Sequence, residues 1–116
     1  GEPCTIYGDG DETRDYVYVD DVVEAHWLAS GSDYCGVVCV GSAVETTVPR
    51  IFEELSELTG NTIPPRREPL RPGEIRRIAI SAAKAKALWG WEPRVTFKDG
   101  LGRLVDYLRE HGAKYR

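Results

Sequence analysis

The sequence predicts a mixed α/β fold in which a few short strands accompany about four helices. Three observations predict this class. Short runs of β-branched and aromatic residues end at clusters of glycine and aspartate, as strands do. Several longer segments repeat apolar residues every three or four positions, as amphipathic helices do. A chain of 116 residues holds one domain at most, so we treat residues 1–116 as a single domain.

The N-terminal part of the chain predicts two strands and one helix. Residues 3–7 alternate and are β-prone, and Gly8–Asp11 is a turn cluster. Tyr16–Val19 is a short aromatic and β-branched run, which predicts the second strand. Asp20 can then accept an unpaired backbone N–H at the start of a helix that we expect over residues 21–30.

The middle of the chain predicts a buried strand and the most regular helix. Residues 36–40 are apolar on both alternating faces, which is typical of a strand inside a parallel sheet. We therefore expect Cys35 and Cys39 to pack in the interior instead of forming a redox pair. Thr47 caps a helix predicted over residues 47–59, whose apolar side chains keep the 3.6-residue period to its end.

The strand over residues 36–40 also bears on assembly. A chain of this length offers few neighbours for it, and an unpaired apolar strand edge invites pairing with another copy. We therefore expect a homodimer or a higher oligomer, with that strand or the helix over residues 47–59 near the interface.

The C-terminal part predicts two more helices. Residues 61–74 are rich in proline and arginine, which argues against a long regular element, and Glu74–Ile80 has the composition of an extended segment. Ser81 is the expected cap of a short alanine-rich helix. A last helix over residues 97–110 starts at the capping box of Thr96. Its predicted buried side chains are Phe97, Leu101, Leu104, Val105 and Leu108.

Composition and charge limit the functional classes. Apolar residues make up 41% and charged residues 29% of the chain, as in soluble globular proteins. The net charge of −4 argues against a nucleic-acid partner, and no apolar run approaches the ~20 residues of a membrane span. Three cysteines without a C-x-x-C pair favour a reducing cytoplasm and no metal site. One cluster of arginines is either a solvated face or a polyanion site: Arg66, Arg67, Arg71, Arg76 and Arg77.

No catalytic centre is recognisable in these residues. A dinucleotide-binding turn needs G-x-G-x-x-G between a strand and a helix, and the twelve glycines do not form it. Gly41 follows a predicted strand and precedes a helix, but one glycine is weak evidence for phosphate binding. No nucleophile with a neighbouring base stands out either. We therefore expect no catalytic residue here and no cofactor bound by this chain alone.

Three blocks of the sequence nevertheless carry a family resemblance. The first is Gly8–Gly10 with Arg14–Asp21, the second is Arg71–Glu74 with Ala83–Lys86 and Gly90–Pro93, and the third is Phe97–Leu101. Their order and spacing resemble the C-terminal, substrate-binding segment of NAD-dependent nucleotide-sugar epimerases and dehydratases. These enzymes are extended short-chain dehydrogenases/reductases, and the nearest type is UDP-glucose 4-epimerase-like. The likeness runs nearly from end to end.

The resemblance implies roles for three residues. Arg14 and Arg71 match arginines that contact the nucleotide diphosphate, and Glu74 matches the acidic residue that bonds the ribose hydroxyls. Guanidinium groups bind phosphate oxygens as a bidentate fork, and carboxylates accept from paired hydroxyls, so the chemistry agrees. Two alternatives remain open: Arg14 could pair with Asp15 or Asp20 in a turn, and Arg71 and Glu74 could form a mutual surface ion pair.

The resemblance also implies what the chain lacks. The family transfers a proton through a tyrosine with a lysine four residues later, and none of the six tyrosines has that lysine. The implied fold is the C-terminal part of an extended Rossmann-type epimerase without its NAD-binding half. We therefore expect a truncated or excised nucleotide-sugar-binding segment of a cytoplasmic isomerase or lyase, inactive alone, whose parent uses NAD.

Two other hypotheses remain. The chain could be a free-standing homo-oligomeric interaction module that has lost ligand binding. It could also be half of a split epimerase, whose active site is completed by a separate NAD-binding chain.

Overall fold

The structure is a computed structural model that describes residues 2–112. Four helices are present in this range: α1 (Val19–Ser30), α2 (Val48–Thr59), α3 (Ala83–Trp89) and α4 (Phe97–His111). Four short strands accompany them: β1 (Thr5–Tyr7), β2 (Thr13–Arg14), β3 (Thr46–Thr47) and β4 (Arg66–Glu68). The prediction of a mixed α/β fold with few short strands and about four helices is confirmed.

The strands form two small sheets that join distant parts of the chain. β1 pairs with β4 in parallel, with Thr5 opposite Arg66, and β2 pairs with β3 in antiparallel, with Thr13 opposite Thr47. β4 lies in the proline- and arginine-rich stretch, where its three residues agree with the expectation that no long element forms. Because β1 and β4 run in parallel, the turns that follow these two strands lie at the same end of their sheet.

The capping signals at the helix ends behave as the sequence predicts for α2 and α4. The Thr47 hydroxyl accepts from the backbone N–H of Arg50, and Gly60 ends α2 in the left-handed conformation at φ 71°. The Thr96 hydroxyl accepts from the backbone N–H of Asp99 at 3.2 Å and starts α4. These two helices pack against each other.

Asp15 ties three remote segments together directly beside Arg14. Its carboxylate accepts from the backbone N–H groups of Ser42, Ala43 and Ile80 at 2.8, 3.0 and 2.8 Å, and from the Ser42 hydroxyl at 2.6 Å. Burial raises the pKa of the Asp15 carboxyl, but these hydrogen bonds together outweigh it and hold the pKa below its ordinary value of 3.8.

The interior is small and centres on Trp91. Trp91 is 1% exposed and packs with Ala25 of α1 and Ala85 of α3. Its indole N–H donates to the carbonyl oxygen of Asp21 at 2.8 Å. The Asp21 carboxylate in turn accepts backbone N–H groups from the loop before α4. These contacts fix α1 and α3 on the loop that leads to α4.

Several predictions about the N-terminal half are wrong. Tyr16–Val19 is not a strand, because α1 begins at Val19 and takes Tyr18 as its N-terminal flanking residue. Asp20 therefore lies inside the first helical turn, where it forms an ion pair with Arg103 at 3.6 Å instead of capping the helix.

The expected buried strand over residues 36–40 is also absent. Val38 and Val40 pack against the interior, but Val37 is 81% exposed and both Cys35 and Cys39 are exposed. The expected interior packing of the two cysteines is therefore wrong. The physical reason is that no strand of the described residues pairs with this segment.

Two further details of the C-terminal part differ. Leu104 and Leu108 of α4 are 46% and 45% exposed, so only part of the expected apolar face is covered. The Glu74–Ile80 segment is irregular, and α3 starts after Ala82, although the Ser81 hydroxyl does accept from the backbone N–H of Ala83 at 3.3 Å.

Candidate functional site

The three residues singled out in the sequence lie together in the structure. Arg14 ends β2, and Arg71 and Glu74 belong to the turn that follows β4, where the backbone N–H of Glu74 donates to the carbonyl of Arg71. The Arg14 Nη2 atom lies 3.8 Å from Glu74 Oε2. We call these three residues the arginine–glutamate face. Their side chains are available to a ligand, since those of Arg14 and Glu74 remain about one third exposed.

The Arg14 guanidinium is held in place by the backbone. Its Nη1 atom donates to the carbonyl oxygens of Thr13 at 2.8 Å and of Ile75 at 2.7 Å. Neither Asp15 nor Asp20 pairs with it, because Asp15 accepts backbone N–H groups and Asp20 contacts α4. With Nη1 anchored, the Nη2 side of the fork points toward Glu74, so the orientation of Arg14 is set before any ligand arrives.

The Arg71 guanidinium is positioned by an aromatic ring. It lies over the ring of Tyr7, with its Cζ atom 3.8 Å from the ring centroid. A side-chain hydrogen bond with Tyr7, followed by the charges of Tyr7 and Glu74, raises the pKa of Arg71 above its ordinary value. The sequence reasoning missed Tyr7; an aromatic residue directly before the glycine turn was the available signal.

Three other arginines of the sequence cluster are engaged by acceptors of the protein itself. Arg77 forms a two-pronged pair with Glu45, at 2.9 and 3.1 Å, and this hydrogen bond lowers the pKa of Glu45. Arg76 lies 3.7 Å from the Asp9 carboxylate, and Arg67 donates to the Asp9 carbonyl at 3.0 Å. Three arginines of the cluster therefore pair within the protein, Arg71 belongs to the arginine–glutamate face, and Arg66 is an exposed residue of β4.

A buried acid lies close to this face. Glu12 is 3% exposed, and neither of its carboxylate oxygens has a hydrogen-bond partner. Both oxygens lie against Gly8, where a Cβ atom would be 3.0 Å from each of them and 3.1 Å from Leu70. Gly8 has φ 73°, a backbone conformation that favours glycine. The absence of a Cβ atom at Gly8 also leaves room for the Glu12 carboxylate.

Gly41 is explained by packing and not by phosphate binding. A Cβ atom at this position would lie 2.4 Å from the Ile80 carbonyl oxygen and 2.5 Å from the Ile80 Cβ atom. The approach of Ile80 therefore accounts for the glycine at residue 41.

Metal and membrane chemistry find no support in residues 2–112. No group of three or more histidine, cysteine or acidic side chains in this range is arranged to hold a metal ion. No helix of the same range has the length and apolar character that crossing a bilayer requires.

Comparisons with known proteins match most of the chain. A family model described as GDP-mannose 4,6 dehydratase matches residues 1–104. The UDP-glucose 4-epimerase of Mycolicibacterium smegmatis is 36% identical over 110 residues, which are 94% of this chain and 35% of that protein. The dTDP-glucose 4,6-dehydratase of Xanthomonas campestris pv. campestris is 34% identical over 118 residues, covering 92% of this chain and 34% of the relative.

The fold is shared as well. The crystal structure of the Thermotoga maritima UDP-glucose 4-epimerase with UDP-glucose matches 95% of this chain and 36% of its own, at 42% identity and a TM-score of 0.91. The chain spans about a third of the length of the curated relatives it matches.

Proposed function

Because the chain belongs to the GDP-mannose 4,6-dehydratase family of NAD-dependent nucleotide-sugar epimerases and dehydratases, we propose that its arginine–glutamate face binds a nucleotide sugar. The observation that carries the proposal is the convergence of Arg14, Arg71 and Glu74 from two separate parts of the chain. UDP sugars are the first candidates, since the T. maritima relative was crystallised with UDP-glucose.

The two arginines suit a diphosphate for a geometric reason. A guanidinium offers parallel N–H groups that match two phosphate oxygens, and charge-assisted hydrogen bonds of this kind are about twice as strong as neutral ones. Arg14 is fixed by two carbonyl oxygens and Arg71 by the Tyr7 ring. A ligand therefore finds both cations already oriented, which lowers the entropy lost on binding.

Glu74 suits the ribose of the same ligand. Its carboxylate carries acceptor positions for two neighbouring hydroxyl groups, and it lies 3.8 Å from the Arg14 guanidinium. A ligand with phosphates beside Arg14 and hydroxyls beside Glu74 replaces this long ion pair by shorter hydrogen bonds on both partners.

The division of labour follows from these contacts. The residues of this chain bind and orient the nucleotide. NAD, when held by residues outside these 116 positions, supplies the hydride chemistry. We therefore propose that the chain alone binds the nucleotide sugar and does not convert it.

Titration of the chain with UDP, UDP-glucose and inorganic pyrophosphate, by calorimetry and amide NMR, tests the proposal. We expect saturable binding of UDP, weakened by about tenfold or more in Arg14→Gln and Arg71→Gln. Glu74→Gln should weaken UDP but leave pyrophosphate unchanged. Arg109→Gln is the matched control, because Arg109 lies in the last turn of α4, where it contacts Asp106 and the Leu58 carbonyl and none of the three residues of the face. A folded chain whose spectrum does not change with UDP overturns the proposal.

A further inference from the structure

Glu12 is a buried acid that the binding contacts of the arginine–glutamate face do not use. It is 3% exposed, and neither of its carboxylate oxygens has a hydrogen-bond partner among residues 2–112. Burying a carboxylate in this way opposes folding, because the group loses its hydration and gains no donor in return. Buried polar groups without a partner are rare in native proteins, so the persistence of this one requires an explanation.

The Glu12 carboxylate lies behind the arginine–glutamate face. Both of its oxygens lie against Gly8, and the Leu70 side chain approaches the same glycine. Gly8 directly follows Tyr7, and Leu70 directly precedes Arg71. Since the Arg71 guanidinium lies over the Tyr7 ring, Glu12 is placed beside the chain neighbours of both partners in this stack. With about 3.8 Å between successive Cα atoms, its charge lies on the order of 10 Å from a phosphate bound by Arg71.

The charges of the arginine–glutamate face and of Glu12 balance each other. The face holds two guanidinium groups and one carboxylate, and Glu12 supplies a second carboxylate. Two neighbouring arginines, Arg76 and Arg77, face carboxylates of the protein itself, at 3.7 and 2.9 Å. Without the charge of Glu12, the face would carry a net positive charge and would attract every anion more strongly.

Phosphate ligands that such a face could accept differ in their charge. A nucleotide sugar carries about two negative charges, UDP about three and UTP about four, because only a terminal phosphate gains a second charge near neutral pH. A buried carboxylate opposes the binding of each ligand in proportion to that charge. Unit charges about 10 Å apart change an affinity about twofold at the dielectric constant of water, and about fifteenfold at an effective value of about 20.

We propose that Glu12 sets the charge selectivity of the arginine–glutamate face, so that the face prefers a nucleotide sugar to nucleoside triphosphates and free polyphosphates. The carboxylate repels every phosphate bound at the face, and the ligand with the fewest charges therefore loses the least affinity. The identity of the preferred ligand rests on the proposed function. Glu12 itself touches no ligand atom and acts through its charge alone. A residue that costs stability is retained where it serves function, which explains why this acid stays buried without a partner.

Calorimetric affinities of UDP-glucose, UDP and UTP for the wild type and for Glu12→Gln test the proposal. We expect Glu12→Gln to bind all three ligands more tightly, with an increase that grows with the charge of the ligand. UTP carries about two charges more than UDP-glucose, so its affinity should increase at least about fourfold more than that of UDP-glucose. An equal increase for the three ligands, or no increase, overturns the proposal, because a change of shape alone does not depend on ligand charge.

Three further variants separate charge from shape. Glu12→Asp keeps the charge and should keep the wild-type ratio of UTP affinity to UDP-glucose affinity. Glu12→Met removes the charge with a side chain of similar length, and its ratio should match that of Glu12→Gln. Glu110→Gln is the matched control, because it removes the same charge from a side chain of α4 that is 73% exposed. Its ratio should stay within about twofold of the wild type, since solvent and salt screen exposed charges.

A series of inorganic phosphate, pyrophosphate and tripolyphosphate separates this inference from the proposed function. These anions require the two arginines of the face but no contact with a ribose or a base. A charge-dependent increase with these anions in a chain that does not bind UDP supports the role of Glu12 and rejects the nucleotide-sugar site. UDP and UTP affinities that are the same in the wild type and in Glu12→Gln reject the role of Glu12 only. Failure of both UDP and tripolyphosphate to bind either chain rejects both.

Discussion

Asp15→Asn is the substitution whose effect can be worked out most completely. An asparagine keeps the shape of the side chain but replaces one acceptor oxygen by an NH2 group. If that group takes the place of Oδ2, the backbone N–H groups of Ala43 and Ile80 lose their acceptor. Hydrogen bonds to a charged acceptor contribute at least about 1.5 kcal/mol each, and we use this lower figure because water reaches the carboxylate. We therefore expect a loss of about 3 kcal/mol in the free energy of unfolding at pH 7.

The contribution of Asp15 to the free energy of unfolding should also depend on pH in a defined direction. The folded-state pKa of Asp15 lies below 3.8, so its carboxylate stabilises the fold fully above the unfolded-state pKa and loses this contribution as the pH falls through the folded-state value. The difference between the wild type and Asp15→Asn should therefore shrink as the pH falls below 3.8. The assay is urea unfolding followed by tryptophan fluorescence at neutral and acidic pH.

A control variant separates this mechanism from a general effect of charge. Asp33→Asn removes the same charge from an exposed position, and its unfolding free energy should stay within about 0.5 kcal/mol of the wild type. Equal stabilities of wild type and Asp15→Asn at pH 7, or a difference that persists unchanged in acid, would refute the reasoning.

Three further outcomes follow from the geometry of the site. Tyr7→Leu removes the ring beneath the Arg71 guanidinium and should weaken UDP binding about two- to fivefold by calorimetry. Tyr7→Phe keeps the ring and should weaken UDP binding less than Tyr7→Leu does. Equal affinities of the wild type and both variants would contradict the role of the ring. Gly8→Ala should lower the melting temperature more than Gly60→Ala, because both have positive φ but only Gly8 faces atoms at 3.0 Å; a larger effect at Gly60 would reject this account. Glu12→Gln should raise the free energy of unfolding, measured by urea unfolding, by about 1 kcal/mol, because the Glu12 carboxylate is buried without a hydrogen-bond partner. A clear loss of stability would show that the carboxylate is needed.

The sequence predicted those elements whose signals are local. Thr47 and Thr96 mark the starts of α2 and α4, because an N-terminal cap acts within one helical turn of its own residue. Arg14, Arg71 and Glu74 were named from a motif, and the structure brings them together. Their binding roles stay predictions.

The failures concern non-local pairing. Residues 36–40 have the composition of a buried strand, but a strand needs a neighbour that composition does not supply, and Val37 stays exposed. Tyr16–Val19 also reads as a strand locally, yet the helix that follows begins at Val19. The Ile75 carbonyl that holds Arg14 could not be foreseen either, because this contact joins residues 61 positions apart.

The sequence separation of its contacts determines when the arginine–glutamate face can form during synthesis of the chain. Arg14 meets the Ile75 carbonyl across 61 positions, Asp15 meets Ile80 across 65, and Trp91 meets Asp21 across 70. Contacts of such high contact order are slow to close. During synthesis Arg14 leaves the ribosome long before Ile75, so it waits in an unfolded chain while more than half of the sequence emerges. Formation of the arginine–glutamate face is therefore a late event in folding, because it requires that these long-range contacts are complete.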